Sequence, residues 1–502
     1  MRVLGVVVRT MMSAVVAAVM ACAVVVPAVA DSGAVVRTDK GAVRGKVTET
    51  VRTFGNIPFA TPPVGENRWR DPQPAARWQG VRDATSPAPF CAQNSQLGQP
   101  SSETEDCLYL NVTTPAGNSS RPRPVMVWIH GGGFTSGAAS MYDATWLASR
   151  NDAVVVTVNY RLGVFGFFGH PGLARSGAFG LADQQAALRW VQRNARAFGG
   201  DARNVTVFGE SAGGLSVCAQ LASPRAAGLF AKAIIQSGPC GLNLPSFTAP
   251  GEFTGVWRSR ADTEKAGLGV LGCADVACLR AQPVSKLLTV HEQFASPSYD
   301  TAVLPIDPIV AQRTGRMHRV PTLVGSTHDE MTLFAPLFWP QPLPETAYQD
   351  QLAWFFGPNA DQVAARYPVN GNGDARDEIA ELLTDKGWAC PSQTARGELG
   401  RRARVSGYEF ADPDVPMIFP DFPPFPEYGA YHGSELLMLF DMGQTLTPEQ
   451  RKVSDYMIAA WGRFARTGDP GWRADVQSLA PGAIGGTDFA LDHQCGFWSS
   501  IL

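Results

Sequence analysis

The most constraining feature of this chain is the decapeptide V-T-V-F-G-E-S-A-G-G at residues 205–214. β-Favouring residues run into Gly-Glu-Ser-Ala-Gly, and a helix-compatible segment, Leu215 to Leu221, follows at once. This is the G-x-S-x-G pattern in the strand–turn–helix context that presents a nucleophilic serine. Gly209 and Gly213 suit the close backbone approach at so sharp a turn. The alternative is an ordinary Gly-rich turn between a strand and a helix.

Ser211 is therefore predicted to stand at the carboxyl edge of a sheet, above a helix N-terminus. There the N–H of Ala212 would point at an oxyanion formed by attack on an ester carbonyl. A serine hydroxyl is a poor nucleophile at neutral pH and needs an adjacent base that a carboxylate orients. This sharp strand–turn–helix segment is called a nucleophile elbow. In enzymes that use it, the acid and then the histidine follow the serine along the chain.

That order selects among the seven histidines. Only His432 and His493 lie well beyond the two candidate acids, Asp329 and Glu330. His493, beside Cys495, is interpreted as structural. His432 is predicted to be the base, with a surface-loop histidine as the alternative. It follows a loop rich in proline and phenylalanine, residues 413–426, which cannot be a central strand and is predicted to form an apolar pocket wall.

Two acids follow the predicted strand at residues 322–325. Asp329 and Glu330 both stand where a loop at the carboxyl edge could reach the histidine. The chemistry of carboxylates does not separate them, and the alternative for each is a solvated loop acid.

A second source of N–H donors follows the predicted strand at residues 125–129. The sequence H-G-G-G-F at residues 130–134 matches the oxyanion-hole motif of lipases and esterases. Glycine leaves the backbone uncovered, so the N–H groups of Gly132 and Gly133 can face a substrate oxygen. A flexible glycine loop is the alternative.

The first 30 residues differ from the rest. Arg2 and Arg9 precede an apolar run, and Ala28-Val29-Ala30 supplies a cleavage site before Asp31. Residues 1–30 are thus predicted to be a secretory signal peptide, and residues 31–502 one mature domain without stable membrane insertion. A retained anchor or lipidation at Cys22 are the alternatives.

The chain has nine cysteines, and one of them, Cys22, lies in the predicted signal peptide. An even number therefore remains in the mature chain, which predicts a disulfide framework in an exported protein.

The composition fits one large globular domain. The chain has 502 residues, a formal net charge of −3 and 17% charged residues, without a basic tract that would indicate a nucleic-acid partner. Arginine exceeds lysine, which points to a GC-rich bacterial genome. Helical segments such as 181–196 alternate with continuous apolar runs at residues 125–129 and 153–158 and with further predicted strands at 205–208, 231–236 and 322–325. This alternation predicts an α/β fold with a large, mostly parallel sheet, and segments 244–299 and 345–405 are predicted to form a cap.

The chain resembles the type-B carboxylesterase family, which includes cholinesterases and bacterial para-nitrobenzyl esterases. Seven blocks carry the resemblance in family order: F-G-N-I-P-F-A-T-P-P-V-G (54–65), E-D-C-L-Y-L-N-V (105–112), H-G-G-G-F (130–134), N-Y-R-L-G-V-F-G-F (159–167), G-L-A-D-Q-Q-A-A-L-R-W-V (180–191), F-G-E-S-A-G-G (208–214) and Y-H-G-S-E-L (431–436). The resemblance covers nearly all of the mature chain, and it implies the α/β-hydrolase fold with helical cap insertions.

The resemblance also implies individual roles. It selects Glu330 over Asp329 as the acid of a Ser211–His432–Glu330 triad. The remaining implied site residues are oxyanion-hole donors at Gly132, Gly133 and Ala212, and hydrogen-bonding groups behind the triad at Glu210, Ser237 and Glu435.

Structural roles follow from the resemblance too. Arg68 with Glu105 and Arg161 with Asp183 resemble the family's buried ion pairs, and breaking such a pair costs about 3–5 kcal/mol. The implied disulfides are Cys91–Cys107, Cys273–Cys278 and Cys390–Cys495; Cys218 and Cys240 are left as a further candidate pair.

One departure concerns the loop between the first two of these cysteines. In cholinesterases it carries a tryptophan that stacks on a quaternary ammonium, whereas residues 92–106 contain no aromatic residue here. Choline esters are therefore not the expected substrates.

The sequence thus predicts a secreted or cell-envelope serine carboxylesterase that forms an acyl-enzyme on Ser211 with a small-molecule ester. No cofactor, metal or nucleic acid is implied. The alternatives are a non-catalytic binding protein on the same fold and a lipase for longer-chain glycerides.

Overall fold

A computed structural model describes residues 34–96, 98–371, 373–419 and 422–501 of the chain. The predicted signal peptide lies outside the described residues. Within them, the strands are β1 (Val35–Arg37), β2 (Ala42–Arg44), β3 (Lys46–Val47), β4 (Val51–Pro58), β5 (Val81–Asp83), β6 (Tyr109–Pro115), β7 (Arg123–Ile129), β8 (Val154–Val158), β9 (Gly200–Glu210), β10 (Lys232–Gln236), β11 (Asn243–Pro245), β12 (Phe253–Gly255), β13 (Arg258–Ser259), β14 (Ser298–Tyr299), β15 (Thr322–Thr327), β16 (Val405–Phe410), β17 (Val476–Leu479) and β18 (Gly485–Gly486).

The α-helices of the same residues are α1 (Thr145–Asn151), α2 (Gly163–Phe167), α3 (Phe179–Asn194), α4 (Ala212–Ala222), α5 (Arg260–Ala266), α6 (Val276–Arg280), α7 (Val284–Leu288), α8 (Pro308–Thr314), α9 (Ala335–Phe338), α10 (Glu345–Phe356), α11 (Ala360–Arg366), α12 (Arg376–Thr384), α13 (Cys390–Gly400), α14 (Leu436–Leu439), α15 (Pro448–Thr467), α16 (Phe489–Asp492) and α17 (Cys495–Ile501).

A large mixed sheet runs through the molecule in the order β18-β17-β16-β15-β10-β9-β7-β8-β6-β4-β3. Its middle, from β17 to β8, is parallel, and antiparallel pairs extend it at both ends. Every residue of β7, β8, β10 and β15 is buried. For β7 and β8, the continuous apolar runs predicted this burial. The predicted mostly parallel α/β architecture is confirmed.

The core lies on both faces of this sheet, and the alternation of side chains along β7 divides it. Val127 packs into a cluster with α3 and α4, whereas Trp128 packs into a second cluster with α15. Because successive side chains of a strand point to opposite faces, one apolar run serves two helical layers.

The predicted bounds are close to the observed ones. The segment predicted as a helix at 181–196 is α3, which begins at Phe179, and a 3₁₀ turn follows from Ala195 to Phe198. The cap segments contain α5 to α7 and α10 to α13. β16 was missed as a sheet strand, because V-S-G-Y-E-F has no continuous apolar run and places a charged residue, Glu409, in a buried position.

The two ion pairs implied by the resemblance are present and buried. Arg161 donates to both carboxylate oxygens of Asp183, at 2.8 Å each, and Arg68 binds Glu105 in the same two-pronged way at 2.6 and 2.7 Å. These pairs hold the loop after β8 and the segment after β4 in place.

Four disulfides cross-link the described residues. They are Cys91–Cys107, Cys218–Cys240, Cys273–Cys278 and Cys390–Cys495. Cys218 lies on α4, so the pair left open by the sequence joins the elbow helix to the loop after β10. Among the described helices, none combines the length and the apolar character that crossing a bilayer requires.

Candidate active site

The parallel strands bring the predicted site residues to one edge of the sheet. In the register of the sheet, Ile129 lies beside Gly209, Gln236 beside Glu210, and Gly325 beside Gln236. The chain therefore leaves β7, β9, β10 and β15 at neighbouring points. Ligand sites of open α/β sheets form at this carboxyl edge.

The elbow between β9 and α4 holds Ser211 in a strained conformation. Its φ of 56° and ψ of −123° lie outside the common regions for a non-glycine residue. The turn is fixed because Ser211 N donates to Gln236 O at 2.9 Å and Leu215 N donates to Ser211 O at 2.9 Å. A Cβ on Gly213 would lie 2.0 Å from Ile129 O, so no larger residue fits there. This close contact was predicted from the motif.

The glycine loop after β7 lies directly against the elbow. A Cβ on Gly131 would be 3.1 Å from Ser211 Cβ. Gly132 and Gly133 have φ of +100° and +60°, which side chains rarely adopt. Within the described part of the chain, the N–H groups of Gly132, Gly133 and Ala212 have no hydrogen-bond acceptor. These amides are free to bind an anionic oxygen.

His130 begins this loop and is fully buried against Tyr160, with ring centroids 4.5 Å apart. Burial lowers its pKa to about 4, although a hydrogen bond to the Gly131 carbonyl raises it. A neutral imidazole held in this way supports the loop and does not compete with His432 as a base.

The structure joins the predicted acid to the predicted base. Glu330 Oε2 and His432 Nδ1 form a short hydrogen bond, and both side chains are buried. The other oxygen of Glu330 accepts from Thr327 N at 2.9 Å, which fixes the carboxylate. Asp329, the alternative acid, makes no contact of this kind with the imidazole.

The second ring nitrogen of His432 faces the elbow. Nε2 is buried and lies 3.1 Å from Glu210 Oε1, but it makes no hydrogen bond to any described residue. The structure therefore brings Glu330 and His432 together without a hydrogen bond between His432 and the Ser211 hydroxyl. Catalytic hydrogen bonds of free enzymes are often long or misaligned and form on substrate binding.

Three buried carboxyl groups, from Glu210, Glu330 and Glu435, surround this imidazole. Burial lowers the pKa of His432, but the negative charges of Glu210 and Glu330 outweigh burial and raise this pKa to about 9. Burial raises the pKa of Glu210 to about 7, against the attraction of His432. Burial and then the charges of Glu210 and Glu330 raise the pKa of Glu435 to about 8. The site is electrostatically built to stabilise a positive imidazolium.

The groups expected behind the triad make different contacts. Glu435 Oε1 accepts from Gln236 Nε2 at 3.3 Å. Ser237 also occupies a left-handed conformation, with φ of 48°, and its N–H donates to Gly325 O at 2.8 Å. Its hydroxyl is buried but has no hydrogen-bond partner among the described residues, in contrast to the expected hydrogen-bonding role.

Asp329 connects the acid loop to the histidine loop, a role that sequence reasoning missed. Its N–H donates to Ala430 O at 3.1 Å, and its carboxylate accepts from Ala430 N at 2.8 Å. Ala430 lies two residues before His432. Asp329 thus holds the loop that carries His432, while its neighbour Glu330 bonds to the imidazole.

Aromatic residues complete the surroundings of the base. Phe334 and Trp388 lie 5.0 and 5.9 Å from the His432 ring, centroid to centroid, and stack on each other. The described residues of the proline- and phenylalanine-rich loop pack on the core around Tyr431, whose hydroxyl donates to Pro416 O at 2.7 Å. This loop therefore holds Tyr431, the residue before His432, in place.

Comparison with known proteins agrees with this architecture. The model of the Carboxylesterase family matches residues 32–478. Para-nitrobenzyl esterase of Bacillus subtilis (strain 168) is 36% identical over 478 residues, which cover 88% of this chain and 91% of the relative. Pyrethroid hydrolase Ces2e of Rattus norvegicus is 35% identical over 489 residues, covering 88% and 83%.

A solved structure of PNB esterase superposes on this chain with a TM-score of 0.75 and 34% identity. The match covers 92% of this chain and all of that one. The predicted α/β-hydrolase fold is therefore confirmed. The family match over most of the sequence, together with these relatives, shows that this chain belongs to the carboxylesterase family and is a carboxylic-ester hydrolase.

Proposed function

We propose that the enzyme hydrolyses small-molecule esters through an acyl-enzyme on Ser211. His432 takes the proton of the Ser211 hydroxyl as the hydroxyl attacks the ester carbonyl. The proton then passes to the leaving alcohol, and water activated by the same imidazole releases the acid. Glu330 holds the imidazole in the tautomer with its proton on Nδ1 and stabilises the imidazolium.

The observation that carries this proposal is the short hydrogen bond between Glu330 and His432, buried beside the strained serine elbow. Free N–H groups of Gly132, Gly133 and Ala212 support their assignment as the oxyanion hole. Each such donor contributes about 3–4 kcal/mol to transition-state stabilisation.

Action outside the cytoplasm belongs to the same proposal. Its support is the signal-peptide pattern at residues 1–30 together with four disulfides, which form and persist in oxidising compartments. A bacterial envelope or secreted location fits the composition.

Labelling by an organophosphate tests the nucleophile. We expect stoichiometric loss of activity and one phosphoryl adduct on the peptide that contains Ser211, because only an activated serine reacts fast. Mass spectrometry of the digested enzyme locates the adduct. Absence of an adduct, with the protein folded, would indicate an inactive binding protein; an adduct elsewhere would reassign the nucleophile.

The pH dependence of kcat/KM tests the charges around the base. His432 acts as a base only when neutral, so activity should rise with pH through its pKa, raised to about 9. Replacing Glu210 by Gln removes the strongest charge that raises this pKa, so the midpoint of the profile should move to lower pH.

Hydrolysis of p-nitrophenyl butyrate between pH 5 and pH 10, corrected for spontaneous hydrolysis, measures the midpoint. Glu103→Gln, an exposed charge removal, is the matched control and should leave it unchanged. An unchanged midpoint in Glu210→Gln, or one that moves to higher pH, would contradict this role of Glu210.

A further inference from the structure

A second cluster of titratable side chains lies behind the acid loop, outside the proposed catalytic machinery. Its four members are His328, which follows β15, Glu409 on β16, Asp492 at the end of α16, and His493. They come from three separate segments of the chain, and only Asp492 and His493 are adjacent, so no spacing motif indicates the cluster. One ligand atom from each lies within 4.8 Å of all the others.

The two imidazoles present the same ring atom to the centre of this cluster. His328 Nε2 lies 3.5 Å from Asp492 Oδ2, and His493 Nε2 lies 2.6 Å from Glu409 Oε1. The two rings are 5.3 Å apart, centroid to centroid. Two imidazole nitrogens and two carboxylates thus converge on one point.

The opposite ring nitrogens are backed by other carboxylates. His328 Nδ1 bonds to Asp329 at 2.8 Å, and His493 Nδ1 bonds to Asp385 at 2.6 Å. Asp385 is itself fixed, because it accepts from the Tyr367 hydroxyl at 2.7 Å. Histidines that bind metals almost always donate their second N–H to a carboxylate or carbonyl in this way. The pattern occurs twice in one cluster.

The cluster is open to solvent on one side. A cavity of about 470 Å³ is lined by His328, Asp492 and His493, and the side chains of His328 and Asp492 are 39% and 49% exposed. His493 is the buried member of this lining, and Glu409, which is buried outside the cavity wall, contacts it through His493 Nε2. The described lining residues further include Asp377, Glu381 and Glu427, and none of them is a lysine or an arginine, so the cavity attracts cations.

We propose that His328, Glu409, Asp492 and His493 bind a divalent transition-metal ion of the zinc type. Imidazole and carboxylate together suit this class of ion, and a hard cation such as Mg²⁺ or Ca²⁺ prefers oxygen ligands alone. Two neighbouring ligand atoms of a tetrahedral zinc site are about 3.3–3.5 Å apart. His328 and Asp492 already meet this spacing, and the contact between His493 and Glu409 lengthens by less than about 1 Å.

Binding displaces the Nε2 protons of His328 and His493, which face Asp492 and Glu409, and both protons pass to solvent. The ion would join three segments: the acid loop after β15, strand β16 and the C-terminal helices. Because His328 lies two residues before Glu330, and Asp329 holds the histidine loop, the ion stabilises the fold at the back of the catalytic site. It takes no part in ester chemistry.

Zinc binding by the chelator-treated, dialysed mature enzyme tests the site. We expect one Zn²⁺ per chain by elemental analysis, a Kd below about 10 μM by calorimetry, and a rise in Tm with zinc concentration. Mg²⁺ and Ca²⁺ should bind at least about 100-fold more weakly. None of these measurements depends on ester hydrolysis, so failure of the zinc proposal can be distinguished from failure of the proposed triad.

The variants His328→Gln and Asp492→Asn, both at the exposed rim, should each weaken zinc binding at least about tenfold. His318→Gln is the matched control, because this half-buried histidine lies outside the cluster and bonds to Ser223 O. Wild-type enzyme that binds no zinc would overturn the proposal. So would unchanged binding in both rim variants, or Ca²⁺ binding as tight as zinc binding.

Discussion

Replacing Ser211 by Ala is expected to lower kcat for p-nitrophenyl esters by about four to six orders of magnitude. The loss is this large because, in the proposed mechanism, the Ser211 hydroxyl is itself the group that forms the acyl-enzyme. The fold should persist. Alanine accepts the same strained backbone conformation as serine, and the bonds of the elbow to Gln236 and Leu215 use main-chain atoms only.

The matched control is Ser216→Ala, five positions further on and inside α4. Its hydroxyl accepts from Gln184 Nε2 at 2.9 Å and faces the core, so the substitution should cost about 1 kcal/mol of stability and leave kcat unchanged. Circular dichroism and Tm of both variants separate folding from chemistry. Residual activity of Ser211→Ala above about a hundredth of the wild type would refute the assignment of the nucleophile.

Glu330→Gln is expected to lower kcat by about 10⁴-fold with little change in KM. The amide keeps the size of the side chain and one hydrogen bond, but it no longer fixes the proton-bearing Nδ1 or stabilises the imidazolium. The buried position of Glu330 excludes water as a substitute.

The adjacent acid provides the control. Asp329→Asn retains an oxygen that accepts from Ala430 N, so the histidine loop stays in place and kcat should fall by no more than about tenfold. Steady-state kinetics of the two variants with one substrate decide between the neighbouring acids. An equal loss in both would show that Asp329 and Glu330 act as a unit.

The sequence alone predicted the nucleophile elbow, the order of the site residues and the parallel sheet, because each depends on short-range patterns. The G-x-S-x-G turn requires small residues because the backbone passes close to its neighbours. Here a Cβ on Gly213 would lie 2.0 Å from Ile129 O. Buried parallel strands likewise need continuous apolar runs. These constraints act within a few residues and are therefore legible in the sequence.

What depended on long-range contacts was not predictable from such patterns. The choice between Asp329 and Glu330 came from the family resemblance, since both acids sit on one loop and only the fold turns one of them toward His432. Strand β16 was hidden by Glu409, whose charge is matched in the structure by His493. A charged residue in a sequence predicts an exposed position, unless the residue that pairs with it in the interior is known.

Cys390–Cys495 encloses the segment that carries His432, with a sequence separation of 105 residues. The other three bridges span 16, 22 and 5 residues and lie earlier in the chain. In the proposed export of this chain, which begins at the N-terminus, these three bridges can close before the C-terminal residues have crossed the membrane. The bridge around the His432 segment can form only once Cys495 is present. Truncation before Cys495 would therefore leave the sheet strands in the chain but remove the cross-link that encloses the proposed catalytic base.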